Sequence, residues 1–182
     1  MAAIPGAIAW AGVAGAGAGV VLCPRRALAS FGVKGTFVYS GGRGQEQLRE
    51  AAVEEVVQEV NVLIRSMARH RILQGTAPKS PLEVVLDPSA RVASLQAPTM
   101  PLLRGFTDGR PVAWKTADGD RNTVTINQRQ EVLSLRFRGN GGDSRYVYRF
   151  APDGRSFVLT ASVAHRLMPK SLRFRLSYRK TA

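Results

Sequence analysis

The fold class expected of this chain is mainly β with one long helix: an antiparallel meander closing into a barrel, with the helix after the first strand. Three observations lead there. Residues 145–150 (Arg-Tyr-Val-Tyr-Arg-Phe) and 171–179 (Ser-Leu-Arg-Phe-Arg-Leu-Ser-Tyr-Arg) alternate in polarity, as strands do when one face is buried and the other meets water. Asp108-Gly109, Asp118-Gly119, 139–142 (Gly-Asn-Gly-Gly) and Asp153-Gly154 punctuate the second half, and such turns between alternating runs mark hairpins. A single stretch near the start repeats its apolar residues at steps of three and four instead of two, the period of an amphipathic helix.

Taken in order, 33–39 reads as the first strand and Ser40-Gly41-Gly42-Arg43-Gly44 as a break. The helix is expected over 45–73. Its stripe runs through Leu48, Val53, Val56, Val57, Val60, Leu63, Ile64 and Met67, with Glu-rich first turns and Arg-rich last turns that complement the helix dipole. Gly75 and Pro78 end it. Nine strands follow, at 82–86, 91–96, 100–104, 111–115, 122–127, 131–138, 144–150, 156–163 and 172–179. A spacing of about ten residues with local turns is that of a meander barrel. Residues 30–182 form one domain in this reading, without an internal repeat.

The chain has 182 residues, 45% of them hydrophobic, enough for one sizeable core. Its net charge is +13, and nearly all the basic residues are Arg, with Lys only at 34, 79, 115, 170 and 180. A surface this basic attracts polyanions such as nucleic acid, anionic lipid or acidic polysaccharide. A one-sided Arg bias also arises from base composition alone, without any binding site. The lone Cys23 excludes an internal disulfide.

Residues 1–22 carry no charged side chain, and Cys23-Pro24-Arg25-Arg26 closes the apolar run before Ala27-Leu28-Ala29. That small-x-small pattern suits a signal peptidase, so 1–29 is read first as a cleaved signal and the protein as exported, periplasmic or secreted. An uncleaved membrane anchor comes second, with Arg25 and Arg26 holding the domain on the cytoplasmic side. A misassigned start comes third.

Chemistry is harder to find. His70 and His165 are distant in sequence and lack an acidic or Cys cluster, so no metal is expected. The Asp residues sit at turns, where they stabilise backbone geometry. No Gly-x-Ser-x-Gly occurs. The break at 40–44 lacks the Lys-Ser or Lys-Thr of a phosphate loop and reads as a strand-to-helix turn. No cofactor and no catalytic residue are expected.

The alternating strands give two candidate surfaces. Tyr146, Tyr148, Phe174 and Tyr178 share the inward parity of their strands, with Phe137 and Trp114 on neighbouring ones. Buried phenols need hydrogen-bond partners, so several inward Tyr point to an interior that is polar in places, as a ligand cavity is. The opposite parity carries Arg136, Arg138, Arg145, Arg149, Arg173, Arg175 and Arg179, an outward ladder that could hold a polyanion or an anionic membrane surface.

The strand order, the Asp153-Gly154 turn before the penultimate strand and the closing Leu176-Ser177-Tyr178-Arg179-Lys180 resemble the lipocalin and fatty-acid-binding-protein group of β-barrels over roughly 33–180. The resemblance implies a non-catalytic barrel holding one small apolar or amphipathic molecule. Fatty-acid-binding proteins carry a short helix pair where this sequence reads as one helix. They clamp a carboxylate with an inward Arg and Tyr two apart, whereas Arg175 and Tyr178 here are three apart and so on opposite faces.

Overall fold

A computed structural model describes residues 31–139, 142–166 and 168–181. The leader reading lies outside them. Among the described residues the elements run β1 (Val33–Tyr39), α1 (Gly42–Gln58), α2 (Arg65–Thr76), β2 (Leu82–Asp87), β3 (Val92–Ala97), β4 (Met100–Phe106), β5 (Asp108–Lys115), β6 (Arg121–Arg129), β7 (Val132–Gly139), β8 (Gly142–Phe150), β9 (Ser156–His165) and β10 (Leu172–Lys180). All ten strands lie in one sheet, in the order β4-β3-β2-β1-β10-β9-β8-β7-β6-β5. Neighbours are antiparallel throughout, and β1 pairs with β10 through Phe37↔Lys180 to Tyr39↔Tyr178. That pairing joins the two halves of the sheet, which curls until its end strands β4 and β5 approach without pairing, giving a nearly closed barrel.

The seam lies between β4 and β5, which are consecutive in the chain but do not pair. It is filled by side chains. A Cβ at Gly105 on β4 would stand 3.1 Å from Ile126 Cδ1 and 3.5 Å from Val112 Cγ2, so the absence of a side chain there lets the end strands approach. Asp108-Gly109, read from sequence as a hairpin turn, instead opens β5, and the strands on either side of it remain unpaired.

Strand parity does what the alternation predicts. Along β10 the residues Leu172, Phe174, Leu176 and Tyr178 are buried while Arg173, Arg175 and Arg179 are exposed. The core runs through the inner faces of the strands other than β5, from Phe37 to Val84, Leu95, Leu103, Val124, Leu135, Phe150, Phe157 and Leu176, and half-buried Val112 and Trp114 of β5 pack against it.

The helix is corrected by the structure: residues 45–73 form two helices. The chain leaves α1 at Glu59, and Asn61 turns it, its Oδ1 accepting from the Leu63 N–H at 2.9 Å while its carbonyl accepts from the Ile64 N–H at 3.1 Å. Asn competes with helix geometry in this way, and the β-branched Val60 beside it adds little helix preference. Arg65 completes the break, its guanidinium donating to the Gln58 carbonyl at 2.8 Å and to the Val60 carbonyl. The continuous apolar stripe is accordingly cut. Val53, Val56, Val57 and Val60 are buried, but Leu48, Ile64 and Met67 are exposed and Leu63 keeps 89% of its surface in solvent. The charge order fails likewise, since neither helix has an acid in its first turn or a base in its last.

Candidate ligand cavity

The helix pair covers one end of the barrel. Gln45 of α1 is clamped to β10: its Nε2 donates to Ser177 Oγ at 2.8 Å and its Oε1 accepts from the Ser177 N–H at 2.8 Å. Gly41, just before, packs closely: a Cβ would fall 2.7 Å from the Tyr39 hydroxyl and closer still to Gln45 Oε1, so a side chain there would have to displace the Gln45 clamp. The Tyr39 hydroxyl in turn donates to the Gly42 carbonyl at 3.0 Å. The Gly-rich break is thus a packed joint. Buried Arg49 ties the two helices together, donating from Nη1 to the Leu73 carbonyl at 3.2 Å and to Thr76 Oγ1 at 3.1 Å.

Beneath this cap lies a cavity of about 350 Å³. The end of α2 and the connection to β2 (Gly75, Thr76, Ala77, Lys79) form one lip, the β3–β4 turn another and the β5–β6 turn a third. The walls come from inward residues of β5 to β10. All six residues singled out for the interior, Trp114, Phe137, Tyr146, Tyr148, Phe174 and Tyr178, line this one space. Two aromatic chains hold the wall. Trp114 meets Phe137 edge-on at 5.5 Å, and Phe137 meets Tyr146 likewise at 5.5 Å. Tyr148 leans on Phe157 at 5.5 Å, and Phe157 stacks on Tyr178 at 4.7 Å, forming the floor.

The phenols are strongly desolvated. Burial pushes the Tyr148 hydroxyl well above its ordinary range, and the neighbouring Tyr146 and Tyr178 push the same way. Burial raises Tyr146 too, opposed by a hydrogen bond with Ser144. Tyr178 is pushed up to about 12 by burial, against a backbone hydrogen bond at Lys79. All three are therefore neutral hydroxyls at physiological pH, able to donate or accept. Trp114 adds a donor of another kind: its Nε1–H is buried and meets no acceptor among the described residues.

Parity reasoning from the aromatics missed Ser144 and Asn122, which also line the cavity. Both were within its reach, since Ser144 shares the parity of Tyr146 and Asn122 that of Val124. The lips at Thr76, Met100 and Thr116 sit on a helix end and turns, where period-2 reasoning has no purchase.

The outward Arg residues are all exposed, but they do not make one uniform patch. Arg136 stands opposite Arg145 on the β7–β8 ladder, and Ser162 is the partner of both Arg145 and Arg173, so these three fall in one row. Arg175 lies one row on, opposite Thr160. Arg149 and Arg179 pair with Val158 and Ser156 in other rows. Asp143 interrupts the ladder, hydrogen-bonded to Arg136 and 3.6 Å from Arg138, and its carboxyl is held below the usual range chiefly by the Arg136 hydrogen bond. His165 ends β9 opposite Gly142 and is not part of the cavity wall. Among the described residues no group of three His, Cys, Asp or Glu could hold a metal ion, and no helix is long and apolar enough to cross a membrane.

A nearly closed antiparallel β-barrel with helices after its first strand is consistent with a fold like that of the lipocalin and fatty-acid-binding-protein group. Among solved structures the chain is similar to the brain fatty-acid-binding protein of Drosophila melanogaster, at 15% identity and a TM-score of 0.48, over 83% of this chain and 99% of that one. It is also similar to fatty-acid-binding protein 1 of Echinococcus granulosus, at 14% identity and a TM-score of 0.44, over 81% and 96%. A third likeness is to the REP1-NXSQ fatty acid transporter, at 11% identity and a TM-score of 0.43, over 81% and 93%. No protein-family model and no curated protein matches the chain.

Proposed function

We propose that this protein is a non-catalytic binder of one small apolar or amphipathic molecule, held inside the barrel beneath the helix pair. The observation that carries the proposal is the cavity of about 350 Å³, mainly aromatic and aliphatic, into which three tyrosines project. Ligand sites commonly occupy about 300–1,000 Å³ and combine apolar walls with a few placed polar groups. The rings supply contact area and the hydroxyls supply orientation. We extend the proposal to an exported protein on the strength of Ala27-Leu28-Ala29; N-terminal sequencing from the native host should find a chain starting near Ser30, and an intact Met1 in a soluble cytoplasmic fraction would remove that part.

A second reading has an observation of its own. The Arg136–Arg145–Arg173 row is exposed across four strands, β7 to β10, with Ser162 of β9 between the last two, and suits a polyanion or an anionic membrane surface. One titration separates the two. Nile red, a neutral lipophilic probe, should bind wild type, bind Tyr148→Phe more weakly, and be indifferent to Arg173→Gln with Arg175→Gln. No binding of the probe, together with salt-sensitive heparin binding that the Arg pair removes, would favour the polyanion reading.

A further inference from the structure

Resting on the carrier reading above, we propose that the cavity selects an uncharged amphipath, such as an alkyl alcohol, ester or ketone, over the carboxylate of the same chain. What the strands turn inward decides this. Every Arg and Lys on the ten strands is exposed, from Lys34 on β1 and Arg104 on β4 to Arg179 and Lys180 on β10. None of them lines the cavity. The two charged residues at its edge, Lys79 and Asp118, are of opposite sign and sit in the connection before β2 and in the β5–β6 turn, at the mouth.

Deeper in, the polar complement is neutral: the hydroxyls of Tyr146, Tyr148, Tyr178 and Ser144 and the amide of Asn122. The buried Arg49 guanidinium stands behind the Thr76 lip, outside the lining, where it bonds the Leu73 carbonyl and Thr76 Oγ1 and lies 3.5 Å from Glu50. A carboxylate carried into the cavity therefore gives up its hydration without a counter-charge among the deeper lining residues, a large loss that hydroxyl donors repay only in part. An alcohol or carbonyl oxygen gives up far less and finds the same donors. The orphaned Nε1–H of Trp114 is a further donor in this wall for which only an acceptor is lacking. The outside Arg side chains do not alter the balance within, because water and salt screen exposed charges over a Debye length of about 8 Å.

The test compares 1-decanol, methyl decanoate and decanoate on the full chain carrying Trp10→Phe, so that Trp114 is the single tryptophan and its fluorescence reports occupancy, with calorimetry in parallel. The two neutral ligands are expected to bind about tenfold or more tightly than decanoate at pH 8. Decanoate should tighten toward pH 5 as it enters protonated, since a host that favours the neutral form raises a bound acid's pKa. Tyr148→Phe should weaken decanol about fivefold, the worth of one hydrogen bond. Decanoate binding as tightly as decanol at pH 8, with no dependence on pH, overturns the selectivity and leaves the carrier reading standing. No signal and no heat from any of the three overturns the carrier reading, and this proposal with it.

Discussion

The two ends of the barrel are built from the same strands to opposite effect. At the end away from the helices, Phe31, Phe37, Phe150 and Phe157 pack ring on ring at 5.0–6.1 Å, and Gln128 Nε2 donates to the Phe31 carbonyl at 2.6 Å across the opening. At the helix end Phe137 and Phe174 are joined by inward Tyr, Trp, Ser and Asn, and a cavity opens. Strand β8 passes from one regime to the other within itself: Ser144, Tyr146 and Tyr148 line the cavity, while Phe150 fills the core. The four Phe rings of the far end have no polar atom to satisfy and pack solid. Tyrosine brings a hydroxyl that must be kept near a partner or a space. One end is packed solid, and the other leaves the cavity in which the proposed ligand would sit.

That division can be broken experimentally. The largest effect should come from the packed end. Phe157→Ala removes a ring in contact with Phe37, Tyr148, Phe150 and Tyr178, and should cost about 3–5 kcal/mol in urea denaturation. Tyr146→Phe, at the open end, should stay within about 1 kcal/mol. Equal losses would mean that the cavity wall is as structural as the floor.

The helix pair gives a comparably sharp contrast. Val57→Asp buries a charge against the barrel and should cost several kcal/mol, on the order of 3 or more, because Val57 is buried. Leu63→Asp at the solvent-facing break should change stability by no more than about 0.5 kcal/mol. A large loss from Leu63→Asp would restore the single buried stripe that the sequence predicts.

A smaller loss is expected where the cap joins the barrel. Gln45→Ala deletes both hydrogen bonds to Ser177, worth about 1–2 kcal/mol together. Hydrogen exchange at the Ser177 amide should quicken while the Phe157 amide stays protected. Protection unchanged at both would show that Gln45 does not hold the cap.

The smallest effect is confined to alkaline pH. Tyr178 has its ordinary value of 10.0 raised to about 12. Below pH 10 both folded and unfolded chains keep that proton. Between pH 10 and about 12 the unfolded chain loses it first and so binds fewer protons, and stability falls as pH rises. Tyr178→Phe should reduce this slope, leaving the share of the other raised phenols Tyr39, Tyr146 and Tyr148, in urea midpoints measured across that window; an unchanged slope would mean the Tyr178 phenol is not desolvated.

How far these features could be read in advance follows from period and context. Strand alternation is a local signal, so the inward set of Trp114, Phe137, Tyr146, Tyr148, Phe174 and Tyr178 could be picked out and comes together on one cavity. Each of the nine later strands begins or ends within a few residues of its expected bounds. The helix misled because Leu63, Ile64 and Met67 fit the period but lie exposed at and after the break at Asn61, while Leu48 fits it on α1 and is exposed all the same. The role of Arg49 was hidden for a related reason: its partners Leu73 and Thr76 lie on the second helix, and only the break brings them together. The Arg ladder was legible as parity, but Asp143 and the ladder register, which split it into rows, were not.

The most direct measurement is native mass spectrometry of the full chain incubated with 1-decanol, beside a Leu159→Trp variant that fills the cavity from β9, where Leu159 lines it. Circular dichroism should show the same fold for both. One decanol per chain on wild type and none on the filled variant is the expected result. No adduct on folded wild type, or equal adducts on both, would contradict a ligand held inside the barrel.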